Sequence, residues 1–186
     1  MRDALLLFKG YAAGPQYNVG GSGSNFLCLH EEPQWATYID GHQGHAGSVY
    51  GAAYVGLPID TGASRNSPFL DTNSGGRELY KNPASCALCD VPGRSRAVMI
   101  PARTQCPDGW AKEYGGYVVS EVHGDRKRSS YICLDEAPEI AVGDSSQWQS
   151  VIYPVDVQCG TLPCSLYISG RELTCVVCSK WYILHE

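Results

Sequence analysis

Cys86-Ala87-Leu88-Cys89 closes one unit of the chain, and Gln105-Cys106-Pro107-Asp108-Gly109-Trp110 opens another, with Val91 to Thr104 between them. Features on one side of this stretch recur on the other in the same order. Gly10-Tyr11 is answered by Gly116-Tyr117. Phe26-Leu27-Cys28-Leu29, then two Glu and Pro33, is answered by Tyr131-Ile132-Cys133-Leu134, an acidic pair and Pro138. Val49-Tyr50 is answered by Val151-Ile152-Tyr153, and Cys86-Ala87-Leu88-Cys89 by Cys175-Val176-Val177-Cys178. The stretch therefore reads as the seam between two copies of one unit, residues 1–98 and 99–186. Copy one carries the longer connection before its Cys-x-x-Cys.

The chain has 186 residues, with 14 Lys+Arg against 19 Asp+Glu and a net charge of −5. That balance argues against a nucleic-acid partner. No apolar run approaches the roughly 20 residues that cross a bilayer as a helix, so no membrane partner is expected. With 21 Gly, 11 Pro and 12 Tyr, and no Ala-Leu-Glu-Lys runs, the composition is turn-rich and all-β. From Val49 the chain alternates, with Tyr50, Ala52 and Tyr54 on one face and Gly51, Ala53 and Val55 on the other. That pattern predicts a strand packed on both faces.

Nine cysteines point to an oxidising compartment. Ala4 to Phe8 is too short for the apolar core of a signal peptide. A secretory signal is thus expected to have been removed or to lie upstream. The odd cysteine count is accounted for by a counterpart of Cys106 expected just ahead of Met1.

A Cys-x-x-Cys also invites a zinc or redox reading. Thr174 to Cys178 is strongly β-forming, however, and residues three apart in a strand face opposite ways, about 10 Å apart. Disulfides need Cα atoms within roughly 7 Å, so the two cysteines should bond to different partners. Val-Val and Ala-Leu also fit a zinc turn badly, and no βαβ pattern surrounds either pair. Cys159 and Cys164 suit a small closed loop. The six cysteines of copy two allow fifteen pairings, and the residues alone do not choose among them.

The run Cys-x-x-Cys, connector, Ile100-Pro101, Cys106-Pro107-x-Gly109-Trp110 and Gly116-Tyr117 resembles the junction between the halves of the collagen IV C-terminal non-collagenous domain. Over nearly the full length the chain resembles the C-terminal domain of short-chain, sponge-type invertebrate collagens. Gly10-Tyr11-Ala12, Ser24 to Leu29, Met99 to Pro107 and Leu173 to Cys178 carry that likeness. The resemblance implies a nested pairing: Cys106–Cys178, Cys133–Cys175, Cys159–Cys164 and, in copy one, Cys28–Cys86, with Cys89 left unpaired. It also implies a homotrimer. No Gly-X-Y repeat is present in these residues.

Other candidates are weaker. His42 and His45 in a Gly-rich loop have metal-ligand spacing but no acidic or cysteine partner nearby, so no metal or cofactor is expected. Asp125-Arg126-Lys127-Arg128 is either a site that docks sulfated matrix glycans or another subunit, or a charged hairpin tip between two strands, and the tip is the simpler reading. Leu57–Ser85 is a recognition loop or a tolerated insertion. Trp181, Tyr182, Ile183 and Leu184 form a last core strand or an intersubunit contact. No nucleophile elbow, His-Glu-x-x-His or phosphate loop occurs, so no enzyme is expected.

The sequence thus predicts an all-β protein of two tandem homologous, disulfide-stapled subdomains, like the collagen IV C-terminal domain. It would be an extracellular matrix protein that assembles with identical subunits into a trimer or filament. The competing expectation is a secreted lectin-like module using the 57–85 loop.

Overall fold

A computed structural model describes residues 4–37, 39–41, 46–55, 79–143 and 150–181. Nine strands form it: β1 (Leu5–Gly14), β2 (Leu27–His30), β3 (Tyr50–Tyr54), β4 (Ser85–Asp90), β5 (Arg94–Pro101), β6 (Trp110–Ser120), β7 (Ile132–Asp135), β8 (Ser150–Pro154) and β9 (Thr174–Trp181). The described residues contain no helix. All nine strands belong to one sheet of order β2-β1-β3-β8-β6-β9-β5, with β4 added on β1 and β7 on β6.

Two halves of this sheet meet at a parallel pair. Ala52, Ala53 and Tyr54 of β3 lie opposite Ser150, Val151 and Ile152 of β8. The alternation in β3 explains why it can sit centrally. Ala52 and Tyr54 enter one apolar cluster with Leu79, Ala84, Val119 and Ile152. Ala53 and Val55 enter a second with Val151. Both faces are packed, as the alternation predicts.

Hydrogen-bond register in the first half matches that in the second. Tyr11 faces Leu29 and Ala12 faces Cys28, as Tyr117 faces Leu134 and Val118 faces Cys133. Gly10 faces Cys86 as Gly116 faces Cys175, and a bulge falls between Leu6 and Phe8 as another falls between Lys112 and Tyr114. The match extends into the loops. Lys81 donates to the Tyr54 carbonyl as Gly170 donates to that of Val157. Both residues are left-handed, with φ 59° at Lys81 and 81° at Gly170. At Lys81 the half without glycine accepts about 1 kcal/mol of backbone strain to keep the turn.

β2 and β4 lie on opposite edges of β1, so a flat sheet would hold them two spacings, roughly 9.6 Å, apart. Cys28 and Cys86 nonetheless have Cα atoms 5.7 Å apart. The sheet is folded sharply about Gly10, where a Cβ would collide with the Leu29 carbonyl oxygen. Gly116 makes the same fold against the Leu134 carbonyl. The Gly-Tyr pairs mark these two folds, and only a residue without a side chain allows them.

β4 and β5 are separated by the short turn at Val91–Gly93, yet they do not pair. β4 joins β1, and β5 crosses to β9. Strand pairing therefore changes from one half of the sheet to the other at that turn, and residues 98 and 99 lie inside β5.

Candidate assembly surface and disulfide framework

Four bridges staple the sheet. Cys28 of β2 is bonded to Cys86 of β4, and Cys133 of β7 to Cys175 of β9. Cys106 is bonded to Cys178, and Cys159 to Cys164. These are the four pairs the resemblance implied. Within each Cys-x-x-Cys the neighbours diverge: Cys175 and Cys178 go to different partners, and Cys86 is bonded while Cys89 is free. Neither motif is a dithiol. In the chain-entropy picture, loops of 58, 72 and 42 residues each contribute about 4 kcal/mol, and the five-residue loop about 2 kcal/mol.

Cys89 sits opposite Leu6 on β4. Its counterpart Cys178 is fully buried because β5 runs along the outer edge of β9. Among the described residues no strand covers the outer edge of β4. Leu88 is half exposed there, and Leu5, Leu6 and Leu7 stand about 60% exposed on the adjoining strand. Tyr11, Leu27, Leu29, Trp35 and Val49 add a second exposed apolar group on the first half. Clusters of this kind on a soluble surface mark contact sites.

The bulge in β6 places Glu113 beside a cation. Arg94 Nε lies 4.0 Å from Glu113 Oε1, and both side chains are about nine-tenths buried. Ser179 donates to the same carboxylate oxygen. On its other side the Arg94 guanidinium stacks on Trp181 at 3.1 Å from the ring centre. Trp181 ends β9 and stays half exposed, while Tyr182, Ile183 and Leu184 lie outside the described residues.

Lys127 does not behave as part of a freely exposed charged hairpin tip. Its side chain is buried and donates to the carbonyls of Gly21 and Ser22, while its own amide donates to Tyr17. It clamps the loop after β1 to the loop after β6; Arg126 and Arg128 alone remain exposed. The physical reason is that two carbonyls converge there, which a run of charges in sequence cannot reveal. His42 and His45 fall outside the described residues, as does the body of the 57–85 segment, residues 57–78. Its end is core: Leu79 and Ala84 are buried.

A cleft of about 1190 Å³ opens between residues 120–131 and 153–158. Glu121 lies in its wall, with the Val151 backbone hydrogen-bonding its carboxylate. Burial, and then the charge of Asp125, push its pKa up to about 7. Burial also raises Asp125, and burial with Asp125 raises Tyr153. The cleft thus holds a carboxyl that changes charge near neutral pH. No group of three or more metal-ligating side chains occurs among the described residues.

No family model, curated protein or solved structure matches the chain.

Proposed function

We propose that the protein is a structural assembly module of the extracellular matrix, related to the C-terminal domains of short-chain and type IV collagens. Identical subunits join into a trimer or filament, and no catalysis is assigned to it. In this reading the two halves are tandem homologous subdomains, each stapled by its own disulfides. The repeated register, bulge and loop hydrogen bonds support that view.

The observation that carries the proposal is the exposed apolar surface of the first half on a covalently braced sheet. Apolar area withdrawn from water stabilises a contact by about 25 cal/mol per Å². A braced sheet loses little conformational freedom when it docks. Secretion is supported by the four disulfides, and no helix among the described residues is long and apolar enough to cross a membrane.

Light scattering on the oxidised protein under native conditions tests the reading, with a mass of three chains or more expected. A stable monomer that binds glycans would replace it with the lectin-like reading of the 57–85 segment.

A further inference from the structure

Every residue that lines the cleft between residues 120–131 and 153–158 belongs to the second half. One wall is the chain leaving β6, and the other is the end of β8 with the residues after it. At about 1190 Å³ the cleft lies at the upper end of the sizes that hold small ligands. Its own hydrogen bonds set its shape. The Ser129 hydroxyl lies 3.1 Å from that of Ser120 and accepts from the Glu121 amide at 3.0 Å. The Asp125 amide donates to the Val122 carbonyl, and Lys127 is clamped on Gly21 and Ser22.

The side chains in the cleft favour one kind of ligand. Lys127 is engaged by two carbonyls, so Arg128 and His123 are left against Glu121, Asp125 and Asp156. A sulfate or phosphate would meet more negative than positive charge there. What the cleft does offer is an aromatic ring beside mixed donors and acceptors. Tyr131 is 66% exposed, so its ring face is open. Gln158 Nε2 donates to Asp156 Oδ2 at 3.2 Å, which fixes an amide next to a carboxylate. That pair keeps an amide hydrogen to donate and several oxygens to accept. Glu121, its pKa pushed up to about 7, accepts from a hydroxyl when ionised and donates to one when protonated. Adjacent sugar hydroxyls, each both donor and acceptor, match such groups. The C–H face of a sugar ring in turn packs on an open aromatic face.

We propose that this cleft binds a saccharide free of acidic groups, with a sugar ring on Tyr131 and its hydroxyls on Asp156, Gln158 and Glu121. The site is distinct from the 57–85 segment. It does not rest on the assembly reading, since a single chain supplies every group in it.

Calorimetric titration of the oxidised full chain tests it. The probes are neutral oligosaccharides of glucose, galactose, mannose and N-acetylglucosamine, with the sulfated disaccharides of heparin as the contrast. At least one neutral saccharide is expected to bind with a Kd of about 1 mM or tighter, and the heparin disaccharides at least about tenfold more weakly. Tyr131→Ala and Asp156→Asn, both at exposed positions, are each expected to weaken binding by about tenfold or more. Trp35→Ala, at an exposed aromatic of the first half, is expected to leave it unchanged. Circular dichroism checks the fold of each variant, and Gln158→Ala replaces either cleft variant that loses it. No binding of any neutral saccharide at about 10 mM overturns the proposal. A preference for the heparin disaccharides overturns the ligand class. Neutral-saccharide binding that survives both cleft variants lies elsewhere in the chain and overturns the site. Light scattering on the same samples reads the assembly state separately, so either reading can fail without the other.

Discussion

β4 and β9 take matching places in the sheet with different surroundings. Both pair antiparallel with a long strand that is folded at a glycine and bulged at the same place, and both carry Cys-x-x-Cys. Yet Cys175, Val176, Cys178 and Ser179 are buried, while Ala87 and Leu88 of β4 are exposed. The difference lies on the outer edge, where β5 runs along β9 and the described residues leave β4 open. Pairing to one neighbour fixes a strand's register. A second neighbour decides whether its side chains leave water.

The bridges offer the sharpest way to break this comparison. The described first half depends on Cys28–Cys86 alone, whereas Cys106–Cys178 still braces β9 when Cys133–Cys175 is removed. Replacing Cys28 and Cys86 together by Ala is expected to cost about 4 kcal/mol. Hydrogen exchange should rise throughout β1, β2 and β4 while β6 and β9 stay protected. Equal exposure of both halves would mean that they unfold as one cooperative unit.

Matched positions give a middle-sized effect. Leu88 faces Phe8 as Val177 faces Tyr114. Val177 is half-buried, so Val177→Lys is expected to destabilise by about 1 kcal/mol through lost packing and partial desolvation of a charge, and Leu88→Lys by less than about 0.5 kcal/mol. Urea denaturation of the two variants reads the gap. Equal costs would show that the open edge of β4 is covered in solution.

Glu121 gives the smallest effect, at the junction between the halves. Its folded pKa, about 7, lies above the ordinary 4.5, so the folded state holds the proton more tightly. The resulting stabilisation is complete below about pH 4.5 and is lost as pH rises through 7. Screening in this partly exposed site limits it to about 1 kcal/mol. Glu121→Gln should flatten that part of the stability profile measured by denaturant titration between pH 4 and 8. A profile unchanged by the substitution would place the slope on another group.

Much of this arrangement was legible in the chain. The all-β character and the divergent partners of each Cys-x-x-Cys follow from composition and strand periodicity. Three features did not show. Lys127 sits in a charged run, and its burial depends on two carbonyls more than a hundred positions away. Arg94 and Glu113 are unremarkable in sequence until a bulge and Trp181 close round them. The crossing of β5 to β9 could not be read from the Pro92-Gly93 turn, which specifies a reversal without naming the neighbour. Local chemistry is written in a strand; its outer neighbour is not.

Every bridge closes within its own half, and none spans the turn at Val91–Gly93. During synthesis, Cys28, Cys86 and Cys89 emerge before any cysteine of the second half, and domains generally fold in that N-to-C order. Among these three, Cys86 and Cys89 compete for Cys28. The sharp fold at Gly10 settles it by bringing Cys86 alone beside the strand that carries Cys28. One glycine thereby steers Cys28 to its partner.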